Sequence, residues 1–125
     1  MIDDGERFDV YIKEARRARK AHRCAECGRA ITPGEAYEVF RGLYDGKWEA
    51  GKTCAHCRVA QEWLSRECGG FLHHAVADDI EDHFNEGYGV GVGRLAVGMR
   101  RGWKLRCGTL APLPRMPKLS VATTP

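Results

Sequence analysis

The sequence lacks a long apolar run and lacks the pattern expected of a secretory signal. Its longest stretch without Asp, Glu, Lys or Arg is residues 68–77, whereas a membrane-spanning helix needs about 20 apolar residues. The start of the chain has no basic region followed by an apolar run, which a secretory signal requires. We therefore expect no membrane span, a cytoplasmic location, and cysteines that stay reduced. Of the 125 residues, 43% are hydrophobic and 30% are charged, which is typical of a small globular protein.

Charged residues are unevenly distributed, although the net charge is only +3. Residues 13–29 carry seven cations and two carboxylates, and residues 94–125 carry seven cations and no carboxylate. Residues 59–93 carry one cation and seven carboxylates. This polarity has two interpretations: the basic segments contact an anionic partner, or the acidic and basic segments pack against each other.

Four of the six cysteines form two clips with metal-ligand spacing. Two residues separate Cys24 from Cys27, two separate Cys54 from Cys57, and 26 residues lie between the clips. Zinc binds four thiolates at tetrahedral angles, about 2.3 Å from each sulfur, and two such clips supply them. In small zinc domains metal binding contributes roughly 10–16 kcal/mol to folding. We predict one structural Zn2+ on these four cysteines.

The residues between and after the clips predict an α+β fold. Alternating side chains predict a strand over Ala36–Arg41, Asp45 and Gly46 are a hairpin signal, and Lys47–Thr53 predicts a returning strand. Thr53 is placed to cap a helix that begins at the second clip. A knuckle, a hairpin and a helix in this order are the layout of a treble-clef zinc finger.

The stretch His22–Leu64 also resembles a set of small four-cysteine treble-clef zinc proteins found in bacteriophage and prophage genomes. The residues that carry the resemblance are His22, Cys24, Cys27, Ile31, Pro33-Gly34-Glu35, Tyr37, Gly46-Lys47-Trp48, Lys52-Thr53-Cys54 and Cys57. The resemblance implies the treble-clef fold, the zinc ion, and a phage or mobile-element accessory protein that acts in a host cytoplasm. It implies no activity, because no function is firmly assigned to that set.

The remaining residues predict one more strand and two helices. Alternation over Glu6–Lys13 predicts a strand that adds to the zinc hairpin. Apolar residues at every fourth position from Leu72 to Phe84 predict an acidic amphipathic helix, and Arg94–Arg106 predicts a basic one. Between them, Gly87–Gly93 has glycine at every second position, which indicates a hinge or close backbone packing.

We predict three segments on this basis. Residues 1–67 form the four-cysteine zinc module with its N-terminal strand and basic segment. Residues 68–107 contain the acidic helix, the Gly-rich hinge and the basic helix. Residues 108–125 form a flexible tail, because prolines and polar residues follow Gly108. The expected fold is therefore an α+β treble-clef finger with a C-terminal two-helix extension.

Two cysteines lie outside the clips. Cys68 and Cys107 are predicted to be small buried residues, with a second metal site that includes neighbouring histidines as the open alternative. Those histidines are His73, His74 and His83. His22 and His56, beside the clips, are predicted to be ordinary surface residues, with orientation of the metal ligands as the alternative.

The charge pattern predicts a non-catalytic binding protein with no small-molecule substrate. Its expected partner is nucleic acid or a host nucleic-acid-handling protein complex, because Lys and Arg contact phosphates through salt-sensitive electrostatics. The predicted contact residues are Arg16, Arg17, Arg19, Lys20, Arg23, Trp48, Arg94, Arg100, Arg101 and Lys104.

Two alternatives to nucleic-acid binding stay open. A protein-docking inhibitor of a host defence, transcription or replication complex would use the same separation of charge for complementary docking. An HNH-like nuclease needs an Asp-His pair between the clips to hold a catalytic cation. The segment between Cys27 and Cys54 contains no histidine, and four thiolates leave zinc no open position. We therefore predict no catalysis.

Overall fold

The computed structural model of the protein describes residues 10–119, and this part of the chain contains five strands and three helices. They are β1 (Val10–Arg17), β2 (His22–Arg23), β3 (Ala30–Ile31), β4 (Ala36–Tyr44), β5 (Lys47–Cys54), α1 (Ala55–Cys68), α2 (Val76–Asn85) and α3 (Val90–Arg100). The predicted α+β class is confirmed. None of the helices in residues 10–119 is long and apolar enough to cross a bilayer.

Two antiparallel sheets contain the strands. β1, β4 and β5 form one sheet in that order, and β2 pairs with β3 in the other. The β4–β5 turn lies at the predicted position, because Asp45 and Gly46 both have positive φ, at 52° and 77°, as a type I′ hairpin turn requires. The predicted N-terminal strand over 6–13 overlaps β1 from residue 10, and its first four residues lie outside the described part. β1 also continues through Arg17, into the basic segment.

α1 begins one residue later than predicted. Cys54, not Thr53, is the N-cap, and its sulfur accepts a hydrogen bond from the backbone N–H of Cys57. Thr53 lies one residue before the cap and pairs with Glu38 in the β4–β5 ladder. The second clip therefore lies across a strand-to-helix junction.

One cluster of buried side chains joins the strands to all three helices. Its fully buried members on the helices include Cys57, Ala60, Trp63, Leu64, Val76, Ile80, Val92 and Leu95. The cluster also contains Cys24 and Cys54. The metal-ligand candidates are thus part of the same apolar core as the C-terminal helices.

The two C-terminal helices differ in their bounds from the sequence prediction. Val76 and Ile80 are buried as the stripe predicts, but α2 begins only at Val76, so Leu72 precedes the helix and is exposed. α3 covers 90–100 and not 94–106. Gly102 and Trp103 both have left-handed φ values, 63° and 62°, and they turn the chain away after the helix.

Close packing explains two of the helix α3 glycines. A Cβ on Gly93 would lie 2.6 Å from a ring atom of Phe84, and a Cβ on Gly98 would lie 2.1 Å from Trp103. Real Cβ contacts are never this short, so glycine at both positions lets an aromatic ring lie on the helix backbone. The Gly-rich segment was expected to be a hinge or a place of close backbone packing, and at Gly93 it is close packing.

The described part of the predicted tail, residues 108–119, forms no helix or strand but is held by specific contacts. The backbone N–H of Ala111 donates to Trp103 O at 2.7 Å, and the indole N–H of Trp63 donates to Lys118 O at 3.3 Å. Met116 and Leu119 pack against the buried cluster. Composition alone did not indicate these contacts, because it says nothing of which residues meet the tail.

Candidate metal centre

Four sulfur atoms converge between the two sheets and α1. The Sγ atoms of Cys24, Cys27, Cys54 and Cys57 all lie within 4.8 Å of one another, and the Cys27–Cys54 distance is 3.9 Å. All four residues are thiols and none is in a disulfide. Three are buried and Cys27 is partly buried. The predicted convergence of the two clips is confirmed.

Local backbone geometry positions the first clip. Cys24 and Cys27 lie in the tight turn that joins β2 to β3, where Gly28 donates its N–H to Cys24 O at 2.9 Å. Gly28 has a φ of 78°, which L side chains rarely adopt. The turn closes when the Cys24 N–H donates to Arg29 O at 2.9 Å.

Backbone N–H groups point at the sulfurs. Cys24 Sγ accepts from the N–H groups of Glu26 and Cys54, and Cys54 Sγ accepts from that of Cys57, each at 3.4 Å. These donors stabilise negative charge on sulfur, and the N-terminus of α1 adds the favourable end of its dipole. The cluster is therefore built for thiolates.

The geometry fits a four-coordinate metal ion. Four sulfurs about 2.3 Å from a tetrahedral zinc lie about 3.8 Å from one another, close to the 3.9 Å between Cys27 and Cys54. Hydrogen bonds with Cys27, Cys54 and Cys57 lower the pKa of Cys24, and hydrogen bonds with Cys24, Cys27 and Cys54 raise that of Cys57. Because these thiols compete for protons, a bound cation would replace the protons of the whole cluster.

Trp103 connects the C-terminal extension to the cluster. Its indole N–H donates to Cys57 Sγ at 3.2 Å, and the ring is almost fully buried. Outer hydrogen bonds of this kind orient metal ligands and tune their charge. The sequence does not indicate this contact, since Trp103 lies 46 positions after Cys57 and no motif relates the two.

Arg29 is a second residue that the motif analysis missed. Its guanidinium is buried, and its two terminal nitrogens donate to the Glu35 carboxylate at 2.7 and 3.1 Å. Burial opposes the charge, but hydrogen bonding with Glu35 and the nearby Cys54 raise the pKa of Arg29. The same guanidinium lowers the pKa of Glu35 to about 2. Four thiolates with a divalent metal would carry net negative charge, and the permanent cation of Arg29 lies beside them.

Glu26, inside the first clip, joins the metal turn to α2. Its carboxylate accepts the backbone N–H of His74 at 2.9 Å and that of Val76 at 3.4 Å. Ala75, the N-cap of α2, has no side chain to satisfy these donors, so Glu26 replaces a local cap. Burial raises the pKa of Glu26, so keeping its carboxylate charged at this place has an electrostatic cost.

We expect Glu26→Ala to destabilise the fold by about 1–3 kcal/mol, because two N–H groups at the start of α2, including that of the buried Val76, lose their acceptor. Chemical denaturation followed by circular dichroism measures the loss. Glu26→Gln is the matched control, since its amide oxygen keeps one acceptor, and its loss should be smaller. An Ala variant as stable as the original protein would show that α2 docks without this contact.

The structure places the predicted partner-binding residues in two surface regions. Arg16, Arg17, Arg19 and Lys20 line one depression, and Arg94, Arg100, Arg101 and Lys104 line a groove of about 790 Å³ beside α3. The other two predicted residues lie apart: Arg23 donates to Gly28 O, and Trp48 is exposed, with the Arg41 guanidinium 5.5 Å from its ring centroid.

Three of the smaller predictions are wrong. His56 is buried, not on the surface, and its Nε2 lies 2.7 Å from Ala111 O. Cys68 and Cys107 are exposed, not buried. The burial of a side chain depends on contacts with distant segments, such as that between His56 and Ala111, which the local sequence does not indicate.

Comparisons with protein-family models, with curated proteins and with solved structures find no match for this chain. What the sulfur cluster and the basic surfaces do must therefore follow from their own chemistry. Within residues 10–119 the candidate ligands of the cluster are its four cysteine sulfurs, a donor set that suits a structural metal.

Proposed function

We propose that the protein is a non-catalytic, zinc-stabilised binding protein, a phage or mobile-element accessory protein that binds nucleic acid or a nucleic-acid-handling complex. The phage assignment depends on the motif resemblance of residues 22–64. Support for a treble-clef finger is the order of its parts: a β2–β3 knuckle with the first clip, the β4–β5 hairpin, and α1 with the second. Support for zinc is the all-thiolate donor set, which fills a tetrahedral shell.

The observation that carries the binding proposal is the unneutralised charge of the groove beside α3. Among residues 10–119, Arg94, Arg101 and Lys104 form no ion pair, whereas Arg100 pairs with Glu81 of α2. On this proposal the basic segment both packs against the acidic helix and contacts an anionic partner. One arginine binds the acidic helix, and the other three cations remain available to phosphates, which bind Lys and Arg by counterion release.

We expect Arg101→Glu to weaken binding of a fluorescein-labelled 20-base-pair duplex several-fold in anisotropy titrations at low salt. One lost phosphate contact also makes the slope of log K against log salt shallower by about 0.9. Arg66→Glu on α1 is the matched control, because it changes net charge equally outside the groove. Equal effects of the two variants would contradict a specific role for the groove.

Arg100→Glu separates the two roles of the basic helix. Because Arg100 pairs with Glu81, its reversal places two carboxylates together and should lower thermal stability as well as binding. Loss of stability with unchanged binding would restrict Arg100 to the contact between α2 and α3.

The apolar walls of the same groove favour one alternative, the docking of an acidic protein partner that inhibits a host complex. Those walls include Phe84, Val97, Leu105, Pro112 and Pro114. Apolar grooves with a charged rim are typical of protein interfaces. A pull-down from host lysate with and without nuclease distinguishes the two. Partners lost on nuclease treatment support nucleic-acid binding, and a protein retained after it supports docking.

A further inference from the structure

A thiol and an imidazole from two different helices meet outside the metal cluster. Cys68 is the last residue of α1 and is exposed, and His83 lies in the last turn of α2. The Sγ of Cys68 is 3.0 Å from Nε2 of His83, which is within hydrogen-bond reach of a nucleophile and its base.

The second ring nitrogen fixes the direction of this hydrogen bond. Nδ1 of His83 lies 2.8 Å from the backbone carbonyl oxygen of Asp79 and 3.2 Å from its Oδ1. A carbonyl oxygen only accepts hydrogen bonds, so in the neutral imidazole Nδ1 carries the proton. Nε2 is then the acceptor, and its lone pair points at the thiol of Cys68.

We propose that Cys68 and His83 form a nucleophilic thiol–imidazole pair and make Cys68 a site of reversible mixed-disulfide formation with a low-molecular-weight disulfide. This site is separate from the proposed zinc and partner-binding sites, and it does not depend on them.

The exchange balances without any further reagent. The Sγ proton passes to Nε2, the thiolate attacks one sulfur of the disulfide R–S–S–R, and a new Sγ–S bond forms as the R–S–S–R bond breaks. The leaving thiolate takes the proton back from the imidazolium of His83 and departs as R–SH. No net oxidation occurs, since one disulfide is exchanged for another.

The exposed Cys107 is an internal reference with which the reactivity of Cys68 can be compared. Burial, Asp79 and Glu67 raise the pKa of the Cys68 thiol, whereas a hydrogen bond with Thr109 lowers that of Cys107. Without a base beside either thiol, Cys107 would form more thiolate than Cys68 and would be the faster nucleophile. A proton acceptor at Cys68 reverses that order.

The experiment uses the zinc-loaded full chain and bis(2-hydroxyethyl) disulfide, a neutral probe, at pH 7. Acid quenching and peptide mass mapping give the rate of adduct formation at each cysteine. A positioned base contributes of order 10²-fold or more to a rate. The easier ionisation of Cys107 offsets part of this advantage, so we expect Cys68 to react at least about tenfold faster than Cys107. Equal rates, or a faster Cys107, would overturn the proposal.

His83→Gln tests the base directly. We expect the rate at Cys68 to fall at least about tenfold, with the rate at Cys107, the metal content and the circular dichroism spectrum unchanged. A rate at Cys68 that survives in a folded His83→Gln protein would also overturn the proposal. If this variant does not fold, the comparison of Cys68 with Cys107 in the unaltered chain decides the matter alone.

Discussion

Cys54→Ser is expected to abolish stoichiometric metal binding and to unfold at least residues 20–66. The free energy of metal binding, roughly 10–16 kcal/mol in small zinc domains, is as large as the whole net stability of most native proteins, about 5–15 kcal/mol. Serine also caps helices, and the backbone N–H that donates to Cys24 Sγ is kept, so the substitution removes mainly the sulfur ligand. Elemental analysis and far-ultraviolet circular dichroism measure the two losses.

Cys107→Ser is the matched control for this substitution. Cys107 is exposed and far from the clips in sequence, with its sulfur 3.1 Å from the Thr109 hydroxyl, so one metal per chain and an unchanged melting temperature are expected. A strong chelator added to the unaltered protein should reproduce the unfolding of Cys54→Ser. A folded, metal-free Cys54→Ser protein would refute the proposed structural metal.

Trp103→Ala carries the second largest expected effect, a loss of about 3–5 kcal/mol in the free energy of unfolding, as for other buried aromatic residues. The indole fills the space over Gly98, lies tilted against the ring of His56 and donates to Cys57 Sγ. Removal of an outer hydrogen bond to a metal ligand typically costs 10–100-fold in metal affinity. Urea denaturation and competition with a chromophoric chelator measure the two quantities.

Trp103→Phe separates packing from hydrogen bonding. Phenylalanine keeps much of the buried ring but has no N–H for the sulfur, so the loss of stability should be well below that of the alanine variant. Metal affinity should still fall. If Trp103→Phe binds metal as tightly as the unaltered chain, the N–H···S contact does not tune the cluster, and Trp103 acts through packing only.

The parts of the fold that could be predicted depend on contacts close in sequence. The hairpin follows from Asp45 and Gly46, and the ligand turn follows from two cysteines three positions apart, since each is a local preference of the backbone. The amphipathic period likewise located the buried positions Val76 and Ile80 of α2.

The parts that could not be predicted are pairings between distant residues. Trp103 and Cys57, Glu26 and the start of α2, and Cys68 and His83 each belong to different elements, and no periodicity relates their positions. Helix α3 was misplaced for a related reason. The ring of Trp103 occupies the space that a Cβ on Gly98 would need, a contact that the helical pattern does not indicate.

The hydrogen bond from Trp63 to Lys118 O has a consequence for the order of events during synthesis. α1 leaves the ribosome some fifty residues before Lys118, the acceptor for its tryptophan, so the proposed metal could bind before this contact forms. Such a nascent intermediate would still expose apolar surface and would be prone to aggregation. Slow translation of residues 69–118 should lengthen this interval, and we expect more aggregated and less soluble protein.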